Sequence, residues 1–441
     1  MKNIRAVAIR LSLGGMVVFP APVVVPVLFL GSAFSKKIAI FVIFVATAAP
    51  NTPGVYLPIS YIILALAVIF SVFRVCHAVR ISTKLVAFCL FAVTLQAYGI
   101  FRHLLVFPDA NGFLEAVATA CYSMALITSG VIVGSWLCAN RGILNDNVRV
   151  VFWLVVASVF AQQLLGPSLL LPAHEVAEYA SRSQLSDFNG PGTFRAFGTF
   201  LGPNALALFM AFFVFIRDVD KKLDSFWECV FAAVVVGLTY SEAGILLLGL
   251  FFALRKFLPS SAVISRLVVS AMMAAATLGV IVMTYVAKYS PLLSDVVGRR
   301  SDIYWQMLND FPLTYYIFGV GPHGWAAYFK DTIGLGVSDP HSFVFSVPGA
   351  YGVFGIAFYI SISVVLVRGI KGDNDRSTTA ASVALALVTF VRDAVTIPLP
   401  LGSTPFTFWY WVLFAYVLNC RGPDGRNAVF QAALEKGHDQ P

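Results

Sequence analysis

Three stretches of this chain combine residue types that can hold an anionic group and take a proton from a hydroxyl. The first runs Gly192-Thr193-Phe194-Arg195-Ala196-Phe197-Gly198-Thr199-Phe200-Leu201-Gly202-Pro203-Asn204. A guanidinium can grip a phosphate with two parallel N–H bonds, and neighbouring glycines let backbone come close to such a ligand. Asn204 is placed to cap the helix that the following apolar run implies. The second stretch opens Gly298-Arg299-Arg300-Ser301-Asp302-Ile303-Tyr304-Trp305. Its adjacent arginines offer a second clamp, with Asp295 or Asp302 as competing ion-pair partners. It continues Phe318-Gly319-Val320-Gly321-Pro322-His323-Gly324-Trp325, a tight turn in which Trp325 offers a flat surface to a sugar ring and His323 reads as a turn residue. The third stretch, Asp339-Pro340-His341-Ser342, opens a long apolar run, so His341 stands where water meets lipid. Histidine there can serve as a general base near neutral pH. In combination the pattern is a diphosphate held by Arg195, Arg299 and Arg300, with His341 activating a hydroxyl. The competing readings are an Arg195 that snorkels to the headgroups and a His341 that is a satisfied interfacial residue.

The elements that must position these residues are membrane helices. Of 441 residues 59% are hydrophobic and 12% charged, against roughly 25% charged in soluble chains. A bilayer crossing needs roughly 20 apolar residues. Runs of that kind cover 54–73, 85–106, 113–138, 149–171, 267–287, 341–367 and 378–397, with shorter ones at 38–52, 204–216, 226–240, 241–254 and 405–419. The expected fold is therefore an all-α bundle, one transmembrane domain over 1–441 with about twelve spans. The stretch 11–34 carries Pro20, Pro22 and Pro26, and reads as retained rather than cleaved.

Direction comes from the basic loops. Arg74, Arg80 and Lys84; Arg141 and Arg149; Arg217, Lys221 and Lys222; Arg255, Lys256 and Arg266; Arg368, Lys371 and Arg376; and Arg421 and Arg426 all fall on one side of a twelve-span path. The positive-inside rule makes that side cytoplasmic, with both termini. The long segments 172–203 and 288–340 then lie on the external face, with all three chemical stretches. The net charge of +8 is accounted for by these loops rather than by nucleic acid. The six cysteines, Cys76, Cys89, Cys121, Cys138, Cys229 and Cys420, read as small packing residues. No acidic cluster, Walker loop or dinucleotide fingerprint is present, so no metal or cofactor is expected.

His341-Ser342, nine residues, then Gly352-Val353-Phe354-Gly355 resembles the signature of the O-antigen ligase and polymerase superfamily. Arg195 to Phe200 with Pro203-Asn204 resembles its first external arginine motif. Gly298 to Trp305, with Pro312 and Gly319-Val320-Gly321, resembles its second. The chain departs from the pattern in having Pro348-Gly349-Ala350-Tyr351 where a glutamate is common, and Ser241-Glu242 where Ser-Arg is common. Trp305 stands five residues after Arg300, one more than usual, so Arg299 and Arg300 compete for one role. The resemblance implies a GT-C-like bundle in the bacterial inner membrane, with short helices in its periplasmic loops. It further implies a metal-independent inverting glycosyltransferase that takes a glycan from an undecaprenyl-diphosphate carrier. The acceptor would be lipid A-core, for a ligase of lipopolysaccharide biosynthesis, or another lipid-linked glycan, for a polymerase. His341 would be the base, Arg195, Arg299 and Arg300 the diphosphate ligands, and Asn204, Asp302, Trp325 and Ser342 supporting residues. The ungapped histidine motif favours the ligase. A transporter of lipid-linked glycan is the alternative of another class.

Overall fold

The computed structural model describes residues 81–107, 110–139, 141–165, 203–219, 226–289, 299–322, 341–394 and 398–419 except Ser403, together with Arg195, Ala196, Gly198, Gly324, Tyr328 and Thr396. The apolar runs 11–34, 38–52 and 54–73, both termini, His323, Trp325 and most of the segment 172–203 lie outside these residues.

Among the described residues every regular element is helical. They are α1 (Thr83–Val106), α2 (Ala110–Ala139), α3 (Arg141–Leu165), α4 (Pro203–Val219), α5 (Phe226–Leu238), α6 (Glu242–Phe257), α7 (Ala262–Tyr289), α8 (Arg299–Asn309), α9 (Leu313–Phe318), α10 (Phe343–Gly369), α11 (Arg376–Ala386) and α12 (Pro405–Asn419). The apolar runs within the described region are helical over most of their length. α8 and α9 are short helices inside the segment 288–340. By length and composition α1 and α7 can cross a membrane, as can α10 when Phe343–Gly369 is counted as one run, and their outward faces carry large apolar side chains such as Leu90, Leu278 and Ile360, as a lipid solvent requires.

Two helices are buried nearly all round. In α4 every residue from Leu206 to Val219 is buried, and in α11 every residue from Ser377 to Ala386. Helices buried on all faces form the centre of the bundle, α4 with an apolar surface and α11 with mainly small Ala, Ser and Thr side chains. α2 and α12 approach closely because Gly130 and Gly134 lie one turn apart. A Cβ on Gly130 would meet the Phe408 carbonyl, and one on Gly134 would meet Ala415, the small-residue contact typical of membrane helices. Cys89, Cys121 and Cys229 are free thiols, whereas Cys138 is disulfide-bonded, contrary to its reading as a packing residue.

The helix ends sort into two faces. On one, Ser82 N–H donates to Asn419 Oδ1 at 3.0 Å and Asn419 Nδ2 to Ser135 Oγ at 2.6 Å. Arg266 Nε donates to the Ile370 carbonyl at 2.9 Å. Glu228, with a fully buried side chain, receives Arg217 and Arg149 at 2.8 Å each, and Asp218 receives Arg255 at 2.8 Å. These groups join the starts of α1, α3, α5 and α7 to the ends of α2, α4, α6, α10 and α12. Arg149, Arg217, Arg255 and Arg266 belong to the basic loops of the sequence, and the first three are paired with two buried carboxylates. The other face carries the arginine motifs.

Removing Glu228 leaves Arg217 buried without its counter-charge, whereas Arg149 is half exposed. Glu228→Ala is expected to destabilise the protein by about 3 kcal/mol, and Arg149→Ala by less than about 1 kcal/mol. Thermal unfolding of the purified protein in detergent measures both.

Candidate functional site

Arg195 is built into the turn between α5 and α6. Its Nε donates to the Thr239 carbonyl at 2.9 Å, and one Nη donates to Tyr240 O at 3.2 Å and to Asn204 Oδ1 at 3.5 Å. The adjacent Ala196 N–H donates to Leu238 O at 2.9 Å. The last carbonyls of a helix lack internal partners and carry its negative dipole end, so a guanidinium docked there closes α5. Tyr240 takes a left-handed backbone (φ 48°) in this turn. Ser241 then caps α6, its Oγ accepting from Gly244 N–H at 3.3 Å. Gly198 (φ 54°) hangs from α3 through its N–H on Gln162 Oε1 at 2.9 Å. The first motif thus ties α3, α4 and α5 together at one end of the bundle. Asn204 is not the cap of α4: the helix starts at Pro203, which suits a first helical position. Asn204 is exposed in the first turn and faces Arg195.

The second motif opens α8, with Arg299 and Arg300 as its first residues. Asp302 is exposed in the same first turn, where the dipole favours a carboxylate. Trp305 packs edge-on against Tyr285 and Tyr289, with ring centroids 5.5 and 5.9 Å away, and Lys288 Nζ stands 5.6 Å from its ring. This aromatic group moors α8 to the end of α7. Phe311, Tyr315, Tyr316 and Tyr328 form the next cluster. Burial pushes the Tyr316 phenol well up, and its hydroxyl donates to Met307 O at 2.6 Å.

The third motif departs most from expectation. The run 341–367 was expected to be one span. Instead the helix breaks at Gly352 (φ 63°, ψ −148°) and folds back on itself. Phe343 stacks on Tyr359 at 5.3 Å with the rings 4° from parallel, and a Cβ on Gly355 would meet Val347. In a continuous helix residues 343 and 359 would stand about 24 Å apart. The result is a hairpin of an inner arm, 343–351, and an outer arm, 353–369. Both glycines of the Gly-x-x-Gly motif now have a reason. Gly352 supplies a turn that a side chain would drive into the Ile317 carbonyl, and Gly355 lets the arms touch.

The break frees carbonyls on the inner arm, and the turn after α9 uses them. Val320 N–H donates to Gly349 O at 2.7 Å, and Gly321 N–H to Ala350 O at 3.0 Å. From α1, Arg102 Nε donates to Gly319 O at 3.0 Å and lies over the Phe318 ring, while Tyr98 OH donates to Phe318 O at 2.5 Å. His341 therefore precedes the inner arm by two residues, next to Phe343, whose ring lies level with Tyr359 about 10 Å along the outer arm from the break at Gly352. It is half-buried and left-handed (φ 53°). Its carbonyl accepts Tyr304 OH at 3.2 Å. Ser342 begins the inner arm and is fully buried, and its Oγ finds no hydrogen-bond partner among the described residues.

Beside them lies a group that sequence reading missed. Phe343 N–H donates to the Asp393 carbonyl at 2.8 Å. The Asp393 carboxylate is fully buried, accepting Arg392 Nη1 at 2.7 Å and Leu399 N–H at 2.8 Å. It follows a π-helical turn, Leu387–Arg392, that continues α11 and against which α6 and α7 pack. π turns are often found at functional sites. Arg102, Arg392 and Asp393 all fell inside runs read as spans. Ionisable residues within such runs are themselves a functional signal. Comparison with known proteins returned no matching family model, no matching curated protein and no matching solved structure.

Gly352→Ala forces a side chain into a left-handed position against the Ile317 carbonyl. The variant is expected to lose about 2 kcal/mol or more of unfolding free energy and to become protease-sensitive around 318–322. A wild-type melting curve and digestion pattern would contradict the hairpin.

Proposed function

We propose that this chain is an inverting glycosyltransferase of the O-antigen ligase and polymerase type, acting on a glycan carried by undecaprenyl diphosphate. The observation that carries the proposal is the junction of His341 with α8. The candidate base is held in a strained backbone, a feature that concentrates at active sites, and it is bonded to the helix that opens with Arg299 and Arg300. Arg195 stands at the same end of the bundle, fixed by two carbonyls.

In the proposed reaction an acceptor hydroxyl loses its proton to the His341 imidazole. Its oxygen bonds to the anomeric carbon, and the bond from that carbon to the diphosphate oxygen breaks. The electron pair leaves with the diphosphate, where Arg195, Arg299 and Arg300 meet the growing charge. The half-buried histidine suits a reaction that must exclude water as the competing acceptor. The apolar outward faces of α1, α7 and α10 offer the carrier's lipid tail a route from the bilayer. The wider proposal is a GT-C-like bundle of about twelve spans in a bacterial inner membrane. It has cytoplasmic termini, and its arginine-motif face is periplasmic. The ungapped histidine motif favours ligation to lipid A-core over polymerisation of lipid-linked repeats.

A second reading has its own support. A broken helix with a buried Arg392–Asp393 pair is also the architecture of transporters, so export of a lipid-linked glycan is the alternative. Purified protein given carrier-linked glycan and lipid A-core in detergent separates the two. Transfer between the lipids supports the enzyme, and His341→Ala is expected to lower its rate by about 10²–10⁴ with the protein still folded. An unaffected His341→Ala variant would contradict the assignment.

A further inference from the structure

Two non-glycine residues among those described have left-handed backbones, Tyr240 and His341. In each case the carbonyl of the strained residue accepts a hydrogen bond from an arginine-motif stretch. Arg195 of the first motif donates to Tyr240 O, and Tyr304 of the second donates to His341 O. A left-handed conformation costs an ordinary residue roughly 1–2 kcal/mol, so it persists where its surroundings fix it.

His341 is fixed from both sides. Its carbonyl is held by Tyr304, and the N–H two residues later, on Phe343, is held by the Asp393 carbonyl at 2.8 Å. Tyr304 is itself immobilised. It is 4% exposed, and its ring stacks on Phe345 of the inner arm with centroids 4.8 Å apart and 24° between planes. It lies on the same short helix as Arg299 and Arg300. Its hydroxyl is thus a bond that sets the spacing between the arginine-bearing helix and the histidine.

We propose that Tyr304 is a positioning residue for His341, its hydroxyl holding the left-handed backbone that aims the imidazole at the acceptor. This inference rests on the transferase reading above. The ring stack and the hydroxyl bond are separable: Tyr304→Phe keeps the first and removes the second. Without the bond His341 relaxes toward an ordinary backbone and its ring swings, while the start of α8 stays in place. The effect should therefore fall on the chemical step and not on donor binding.

The test uses purified full-length protein, an undecaprenyl-diphosphate-linked oligosaccharide and lipid A-core, with rates normalised to folded protein by size exclusion and melting temperature. For Tyr304→Phe a fall in kcat of about tenfold to a hundredfold is expected, with KM for the carrier-linked donor within about twofold. Tyr304→Ala, which also loses the stack, is expected to fall further. Wild-type kcat in Tyr304→Phe, a loss carried by KM, or a loss matched by the loss of folded protein would each overturn the proposal. These outcomes differ from failure of the underlying reading, in which His341→Ala itself stays active.

Discussion

The end of the molecule that carries the three motifs depends on one backbone arrangement, the break at Gly352. A continuous helix would satisfy its own carbonyls and carry His341 far from the outer arm. The break instead leaves Gly349 and Ala350 facing two N–H groups of the turn after α9. Buried amides without partners are costly in an apolar medium, so the turn and the hairpin each complete the other. Arg102 and Tyr98 then hold that turn to α1 through the carbonyls of Gly319 and Phe318. Three stretches far apart in the chain meet because each leaves the others something to bond.

Much of the bundle was legible in the sequence, because a lipid solvent writes itself into long apolar runs. α1, α2 and α7 follow the expected limits within a few residues. The hairpin was not legible, since hydropathy reports how apolar a run is and not whether it turns back. Pro348 and Gly352 stood inside the run, but both are tolerated in straight spans as well. The cap assigned to Asn204 failed for a local reason. Pro203, one residue earlier, suits a first helical position better than a cap.

The arginines show the same division. Among the described residues, Arg149, Arg217, Arg255 and Arg266, which charge bias grouped together, do meet at shared helix ends. It does not say what each cation does there. Arg195 reads as a ligand in sequence, and the fold gives it the further task of closing α5. Arg102 and Arg392 were hidden by their apolar neighbours, although Arg102 bonds a loop more than two hundred residues away. Arg299 and Arg300 stand at the start of α8, a helix start that the sequence reading did not foresee.

The π turn before Asp393 has a consequence for descent. Asp393 N–H bonds the carbonyl five residues back, Val388, rather than four. Such a turn holds one residue more than the α-helix it interrupts, and each residue of an α-helix advances the direction of a side chain by about 100°. A relative that follows the same path with an unbroken helix reaches the equivalent carboxylate with one residue fewer. Its sequence aligns here only across a single gap. The π turn thus rotates Asp393 by about 100° from where an unbroken α-helix with the same residues would point it.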